Sequence, residues 1–320
     1  MKRIKGTLVF LLALVCSGAF AQGYPNKPVR IIVPFPAGGT TDLVTRILGQ
    51  KLTEAWGQAV IVENRTGAGG NIGGEAVANS APNGYTLLMT SGSIVTANQH
   101  IYKKMSFDPA KDLIPITNVA SGPQVIVVNA EFPAKTLKQF IDAARAQPGT
   151  LNYGHAGIGS QTHLAAENFL FAADLAITSV PYKGEGPAMN DLIGRQLSMV
   201  TANLAAAMGF INQGKLRALA VTGTQRSPQL PDVPTVAETL PGFENTGWFG
   251  LMAPAGTPKE IVDKIHRDSV TILGTAEIRA RFYALGMIPV GNTPAEFGDA
   301  IREERARWAK VVHERKIVVN

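Results

Sequence analysis

A glycine-rich turn is the first feature of the sequence that could bind a ligand. In VPFPAGGTTD (33–42), a run of β-forming residues ends, and Gly38 and Gly39 leave the backbone bare. A helix pattern starts at Leu43, so backbone N–H groups should lie at the positive end of its dipole, where anions bind. The candidate helix caps are Thr40, Thr41 and Asp42. An ordinary strand-to-helix turn has the same pattern, so this loop alone does not predict a site.

A second turn of the same design occurs in YGHAGIGSQTHL (153–164). A short strand pattern ends near Gly157 and Gly159, and Ser160 stands where a helix cap is expected. Two such turns in two facing lobes would direct their N–H groups into one cleft. Together they predict a site for a small anion.

Further polar residues flank these turns or follow other strand patterns. Asp42 is open to two interpretations: a first-turn carboxylate stabilised by the helix dipole, or an acceptor for an ammonium or ring N–H group of a ligand. Ser91, Tyr182 and Asn203 each follow a strand pattern, the place where doubly wound α/β proteins bind ligands. A plain loop also explains each of these three residues.

Common catalytic and cofactor motifs are missing from the sequence. No glycine precedes the Lys-Ser or Lys-Thr pair of a P-loop, and the nucleophile elbow G-x-S-x-G is absent. GAGGNIGG (67–74) carries Ile72 where a dinucleotide motif requires glycine. His155 and His163 are eight residues apart, a spacing that fits no zinc motif. We therefore predict no cofactor and no metal.

The N-terminus has the pattern of a secretory signal peptide over residues 1–21. Lys2, Arg3 and Lys5 precede a short apolar run, and a small-x-small site predicts cleavage after Ala21. Removing this segment takes away three of the 30 basic residues and none of the 24 acidic ones, so the net charge falls from +6 to +3. It also takes away the only cysteine.

These bulk properties exclude several classes of function. The remaining Lys and Arg residues are scattered, so the chain does not resemble a nucleic-acid-binding protein. Without cysteine, the mature chain has no thiol nucleophile and no Cys-ligated metal. No later apolar run has transmembrane length. We expect a soluble, exported protein.

Apolar runs of strand length alternate with amphipathic helix patterns along most of the chain, which indicates βαβ units and mainly parallel, doubly wound sheets. Two extended stretches, 116–128 and 245–258, resemble crossings between lobes, with hinges near 122 and 247. The predicted lobe 1 comprises 22–122 and 248–320, and lobe 2 comprises 123–247. The last residues predict three helices, over 258–273, 276–286 and 294–314.

Five motifs in register resemble the Bug family, the TctC-like extracytoplasmic receptors of tripartite tricarboxylate transporters. They are PFPAGGTTD (34–42), NRTGAGGNIGGEAVANSAPNGYTLLM (64–89), YGHAGIGSQTHLAAENF (153–169), VPYKGEGPAMNDL (180–192) and DVPTVAETLPGFENTGWFGLMAPAGTP (232–258). The resemblance implies an α/β, two-lobed type II periplasmic binding fold. Two crossing hinge strands join the lobes, and a carboxylated ligand is closed between them.

The resemblance also implies which residues bind the ligand carboxylate. The loops that match 35–40 and 157–162 hold it in the family, and three further residues line the wall. The implied residues are Phe35, Ala37, Gly38, Gly39, Thr40, Asp42, Ser91, Gly157, Gly159, Ser160, Gln161, Tyr182 and Asn203. Two departures, His155 where relatives often have serine and Ala202 where many have aspartate, concern the part of the pocket that contacts the ligand's distal group.

The leading hypothesis is a monomeric periplasmic solute-binding protein that delivers a small organic carboxylate to membrane permease subunits of a tripartite tricarboxylate transporter. Presentation of the liganded protein to a membrane sensor would need the same lobe closure. The alternative is a secreted α/β enzyme that acts on a small anionic substrate. It predicts a titratable group of shifted pKa in the cleft, and the sequence offers Asp42, His155 and His163 for that role.

Overall fold

The structure is a computed structural model that describes residues 23–315 and 317 of the 320-residue chain. The predicted signal peptide, with its cleavage after Ala21, lies outside the described residues. Within that described part, no helix combines the length and the apolar character needed to cross a membrane.

Strands and helices alternate as the apolar patterns predict. The strands are β1 (Val29–Val33), β2 (Val60–Asn64), β3 (Thr86–Ser91), β4 (Leu113–Asn129), β5 (Asn152–His155), β6 (Thr178–Pro181), β7 (Met199–Asn203), β8 (Leu216–Val221), β9 (Thr246–Pro254) and β10 (Ile288–Pro289). The helices are α1 (Thr40–Trp56), α2 (Asn71–Ala78), α3 (Gly92–Thr96), α4 (Asn98–Ile101), α5 (Leu137–Ala146), α6 (Gln161–Ala173), α7 (Glu185–Ile193), α8 (Leu204–Asn212), α9 (Lys259–Leu273), α10 (Ala276–Ala284) and α11 (Pro294–Arg315). The three C-terminal helices lie where the sequence predicts them.

One continuous path of strands runs through the molecule, in the order β2-β1-β3-β9-β4-β7-β5-β6. Both ends of this path are parallel: β1 pairs with β2 and β3, and β5 pairs with β6 and β7. In the middle, β4 and β9 run antiparallel to each other and to their outer neighbours. β8 and β10 each pair with β4 beside the path. Two parallel blocks are therefore joined through two long antiparallel strands.

The two segments predicted to cross between lobes form β4 and β9. β4 is 17 residues long and pairs with strands of both blocks. Gly122 of β4 lies opposite Gly247 of β9 in the ladder, so the two predicted hinge positions share one rung. The lobe boundaries at these positions stay predictions.

A separate hydrophobic cluster covers each end of the sheet. Ile31 of β1 and Leu48 of α1 belong to the first, and Tyr153 of β5 belongs to the second. β4 supplies Val119 to the first cluster and Ile126 to the second. The carboxyl ends of β1 and β5, where the two glycine-rich turns begin, are thereby fixed by buried apolar side chains.

Candidate ligand-binding site

The first glycine-rich turn, residues 34–39 (loop A), joins β1 to α1. Gly38 has a φ of +83°, in the left-handed region that favours glycine. Gly39 is the N-cap and supplies no side-chain cap, so α1 begins at Thr40, three residues before the predicted start. The candidate caps Thr40, Thr41 and Asp42 all lie inside the helix instead. The prediction of a polar cap is wrong here because the left-handed turn at Gly38 starts the helix early.

The Asp42 side chain stabilises the conformation of loop A. Its carboxylate accepts hydrogen bonds from the Gly38 N–H (2.9 Å), from Arg46 Nε (2.9 Å) and from Asn64 Nδ2 (3.0 Å). Burial raises the pKa of Asp42, but these three hydrogen bonds outweigh it and the pKa lies below its usual value. Of the two interpretations of Asp42, this geometry favours the structural one.

The second turn, residues 156–160 (loop B), joins β5 to α6. Gly157 and Gly159 both have positive φ, at +113° and +78°. Ser160 is the N-cap of α6 and its hydroxyl accepts a hydrogen bond from the His163 N–H at 3.2 Å, which confirms the predicted cap. The N–H groups of Gly157 and Gly159 donate to His155 Nδ1 and His163 Nδ1, each at 3.2 Å.

The two histidines lie beneath loop B with ring centroids 4.3 Å apart. Burial, with a smaller effect of the His163 ring, lowers the pKa of His155 to about 3. Burial also lowers the pKa of His163. Both rings are therefore neutral and act as acceptors for glycine N–H groups. In residues 23–315 and 317, no group of three or more His, Cys, Asp or Glu side chains is placed to hold a metal ion.

A cavity of about 40 Å³ lies between loop A and loop B, room for two or three water molecules. Eight of the predicted site residues line it: Phe35, Ala37, Gly39, Thr40, Ser91, Ser160, Gln161 and Asn203. The other five, Gly38, Asp42, Gly157, Gly159 and Tyr182, are not part of its lining. The Tyr182 hydroxyl donates to Asp191 at 2.6 Å. The structure thus brings the two predicted turns together around one small cavity.

Glu185, the first residue of α7, also lines the cavity and was not predicted. Its buried carboxylate accepts from the Thr40 N–H (3.1 Å) through Oε2 and from the Asn203 N–H (2.6 Å) and Nδ2 (3.0 Å) through Oε1. Burial raises the pKa of Glu185, and the hydrogen bonds from Thr40 and Asn203 offset this only in part. The sequence feature that could have identified Glu185 is an acidic residue directly after Gly184 and before a helix pattern.

Gly184 explains how Glu185 reaches loop A. Its φ is +122°, and a Cβ at this position would lie 2.8 Å from Pro36 Cγ. The start of α7 therefore packs directly on loop A, which only glycine allows. The acceptor at the N-terminus of α1 is consequently a carboxyl group of the protein itself.

The N-terminus of α6 is arranged differently. Within the described residues, the N–H groups of Gln161 and Thr162 have no hydrogen-bond acceptor, as expected for the first positions of a helix. The buried atoms Thr40 Oγ1 and Gln161 Oε1 also have no partner among them. Gln161 Nε2 donates to the Trp248 carbonyl oxygen at 2.6 Å, which fixes the side chain against β9. Several residues that line the cavity thus carry polar groups without a hydrogen-bond partner.

Gln161 also borders a larger groove of about 640 Å³ beside the cavity. This groove lies between α6, the segment 240–247 and α11, with Trp308 in its wall. Gly247 also lines this groove and lies against Gln161 and Gln124: a Cβ there would lie 2.5 Å from Gln161 Oε1 and 2.3 Å from Gln124 Nε2.

Comparisons with known proteins agree with this architecture. The family model described as tripartite tricarboxylate transporter family receptor, TctC, matches residues 44–317. Protein BugT of Bordetella pertussis is 39% identical over 296 residues, which cover 92% of this chain and 91% of the relative.

Two solved structures are also similar. R. palustris Rpa4515 with adipate has a TM-score of 0.91 at 35% identity and covers 93% of this chain and 100% of that chain. The periplasmic binding protein BugD has a TM-score of 0.88 at 34% identity and covers 92% of this chain and 99% of that chain. The predicted periplasmic binding protein fold is confirmed, and the chain belongs to the TctC family of tripartite tricarboxylate transporter receptors, of the Bug type.

Proposed function

We propose that this receptor is a periplasmic solute-binding protein that closes its two lobes on a small organic carboxylate. It then delivers the ligand to the permease subunits of a tripartite tricarboxylate transporter. In this proposal lobe 1 (22–122 and 248–320) contributes loop A, and lobe 2 (123–247) contributes loop B and Glu185. The protein acts as a monomer. A role in presenting the ligand to a membrane sensor would use the same closed form.

The observation that carries the proposal is the open N-terminus of α6 beside the cavity. The Gln161 and Thr162 N–H groups lack acceptors among the described residues and lie at the positive end of a helix dipole. The adipate in the similar structure supports a carboxylate as the ligand class. Charge-assisted hydrogen bonds contribute roughly 1.5 to 3 kcal/mol each, and several of them bind a small acid in the micromolar range.

An enzymatic function has less support in this geometry. Glu185 has a raised pKa and lies in the cavity wall. It is, however, the sole ionisable side chain among the described residues that line the cavity, so no second acid or base faces it. The histidines proposed for that role bond to glycine N–H groups under loop B.

The first experiment measures thermal unfolding of the mature protein against a panel of small acids, their amides, phosphates and nucleotides, after partial unfolding and refolding to remove bound ligand. A ligand at 100 times its Kd adds about 2.7 kcal/mol of stability, which raises Tm by several degrees. Shifts with acids that disappear with their amides would support the proposal. No shift with any acid, or shifts with phosphates or nucleotides alone, would contradict it.

A pair of variants at position 161 tests the backbone donor itself. Gln161→Pro removes the N–H group at the first helical position, where proline is tolerated, and the ψ of +159° at Ser160 suits a residue before proline. Gln161→Ala removes the same amide side chain but keeps the N–H. We expect a further tenfold loss of affinity in Gln161→Pro relative to Gln161→Ala. Equal affinities would place the carboxylate elsewhere.

A further inference from the structure

Loop B is in direct contact with the predicted lobe 1. Tyr102, the residue after α4, donates a hydrogen bond from its hydroxyl group to the Ile158 carbonyl oxygen in loop B at 2.7 Å. Gly69, which precedes α2, lies against the same carbonyl group: a Cβ at Gly69 would be 2.3 Å from the Ile158 oxygen. Ile158 belongs to the predicted lobe 2, whereas Tyr102 and Gly69 belong to the predicted lobe 1. The hydrogen bond therefore joins the two predicted lobes through loop B.

Hydrogen bonds within the predicted lobe 1 fix the surface that receives loop B. Asn98, the first residue of α4, is fully buried, and its Nδ2 donates to the Gly69 carbonyl oxygen (3.2 Å) and to Asn71 Oδ1 (2.8 Å). Asn98 Oδ1 then lies against loop B, where a Cβ at Gly159 would be 2.5 Å from it. Only glycine allows so close an approach of loop B to this surface.

An apolar cluster lies beside this hydrogen bond. The Tyr102 ring packs against its buried members, which are Ala97, Ile101, Leu164, Val312 and Ile317. Among the described residues of the cluster, Leu164 of α6 alone belongs to the predicted lobe 2, and it is 2% exposed. Because its partners in the cluster all come from the opposite lobe, separation of the lobes would expose Leu164 to water. The hydrophobic effect therefore opposes that separation.

Tyr102 lies outside the spaces that a ligand could fill. It lines neither the cavity of about 40 Å³ nor the larger groove. Burial raises the pKa of its hydroxyl group to about 12, so this group stays a hydrogen-bond donor at neutral pH. An effect of Tyr102 on ligand binding would therefore act through the contact between the lobes.

We propose that Tyr102 and Leu164 form a latch that holds loop B against lobe 1, and that Tyr102 controls how often the two lobes separate. This inference goes beyond the proposed function and rests on its two-lobed closure. The latch opens when the hydrogen bond from Tyr102 to Ile158 breaks and Leu164 leaves the apolar cluster. Because the cavity lies between loop A and loop B, a ligand bound there is released in the opened form. Tyr102 is thus a positioning residue that acts on loop B.

Thiol labelling measures this opening without any ligand. Leu164→Cys places a cysteine in the latch, and Ala166→Cys places one in the same helix but in the hydrophobic cluster that contains Tyr153. The chain's only natural cysteine, Cys16, lies in the predicted signal peptide, so the mature protein carries the introduced thiol alone.

In otherwise wild-type protein, we expect a maleimide to label Leu164→Cys at least about tenfold more slowly than free glutathione, and to label Ala166→Cys more slowly still. Lobe separation exposes the first position, whereas the second requires unfolding of the core. Labelling of Leu164→Cys at the rate of glutathione would overturn the latch, because the lobes would then be apart. Equal rates at the two positions would also overturn it, because the lobes would then separate through unfolding alone.

Tyr102→Phe assigns the control of opening to the hydroxyl group. Loss of one neutral hydrogen bond corresponds to a change of about fivefold in the opening equilibrium, so we expect about fivefold faster labelling of Leu164→Cys. Tyr24→Phe is the matched control, because the Tyr24 hydroxyl group donates to the Gly84 carbonyl oxygen at 2.6 Å within the predicted lobe 1. This control variant lowers the stability of the fold but should leave labelling of Leu164→Cys unchanged.

Equal labelling of Leu164→Cys with and without Tyr102→Phe would contradict the role of Tyr102, and so would equal acceleration by Tyr24→Phe. The comparison of positions 164 and 166 needs no change at Tyr102, so it decides whether the latch exists even where Tyr102→Phe prevents folding. No ligand is added in these measurements. Failure of every acid to bind would therefore refute the proposed function separately, and failure of the latch would leave the proposed function standing.

Discussion

Loop A and loop B have the same pattern in the sequence, but different types of side chain accept the hydrogen bonds from their N–H groups. At loop A, carboxylates accept: Asp42 from the Gly38 N–H, and Glu185 from the Thr40 N–H. At loop B, neutral imidazole rings accept from the glycine N–H groups, and a serine hydroxyl caps the helix. Carboxyl groups of the protein itself therefore occupy loop A, whereas the Gln161 and Thr162 N–H groups at the end of α6 have no acceptor among the described residues. The two loops share a sequence motif and a similar turn, but the residues packed around each loop determine which group accepts its hydrogen bonds.

The largest expected effect is a dependence of folding stability on pH, caused by the two buried histidines beneath loop B. The unfolded chain protonates histidine near pH 6.5, whereas the folded chain keeps His155, with a pKa of about 3, neutral. The folded state thus binds fewer protons, so stability is lost as pH falls from 6.5 towards 3. We expect a loss of about 2.5 kcal/mol from His155 between pH 7 and 4.5, and a further loss from His163.

Urea unfolding at several pH values checks this expectation. His155→Gln should flatten the dependence while lowering stability at pH 7. Glu185 should act with the opposite sign: its folded pKa is raised, so its contribution to stability is lost as pH rises. Glu185→Gln should therefore gain stability relative to wild type as pH increases. Equal slopes in wild type and His155→Gln would contradict the burial of a neutral ring beneath loop B.

A smaller effect is expected from removing the backbone donor of loop A. Thr40→Pro deletes the N–H group that binds Glu185, at a helix position that accepts proline, and Thr40→Ala keeps it. We expect Thr40→Pro to be less stable than Thr40→Ala by about 1 to 2 kcal/mol, because a buried carboxyl group loses one of its donors. The corresponding pair at Gln161 should differ little in the absence of ligand. Equal stability of the two Thr40 variants would mean that Glu185 does not depend on loop A.

The smallest effect is expected from removing the side-chain cap of α6 at loop B, a cap that α1 at loop A does not have. Ser160→Ala should lower the free energy of unfolding by about 1 kcal/mol, because the His163 N–H loses its acceptor. Thr275→Ala removes a similar cap from α10, where Thr275 Oγ1 accepts from the Ile278 N–H at 3.4 Å. Both variants should lose stability in denaturant titrations, and only Ser160→Ala should also change ligand affinity. An effect of Thr275→Ala on affinity would show that lost stability alone weakens binding.

Local patterns predicted most of the fold. Alternating apolar runs predicted the strands, Pro and Gly residues separated the C-terminal helices, and a hydroxyl ahead of an apolar period predicted the Ser160 cap. Each of these signals lies within a few residues of the structure it specifies. The family resemblance is confirmed as well, whereas the ligand-binding residues and the lobe boundaries stay predictions.

Contacts between distant residues could not be predicted in this way. Thr40 and Glu185 are 145 residues apart, and nothing near either one indicates that they meet. In the sequence Glu185 is an ordinary first-turn acid, the type of residue that a helix dipole favours. Its burial depends on Gly184 packing against Pro36, a tertiary contact. The carboxyl group in the cavity wall was missed for this reason.

We expect the long strand β4 to determine how the protein unfolds. It supplies Val119 to one hydrophobic cluster and Ile126 to the other, and it is hydrogen-bonded to strands of both parallel blocks. Neither cluster can release β4 without exposing buried residues of the other. Chains with separate lobes often unfold in steps, each lobe at its own midpoint. Here the shared strand should couple the two ends, so that they unfold together in one cooperative transition and the amides of β4 exchange with solvent last.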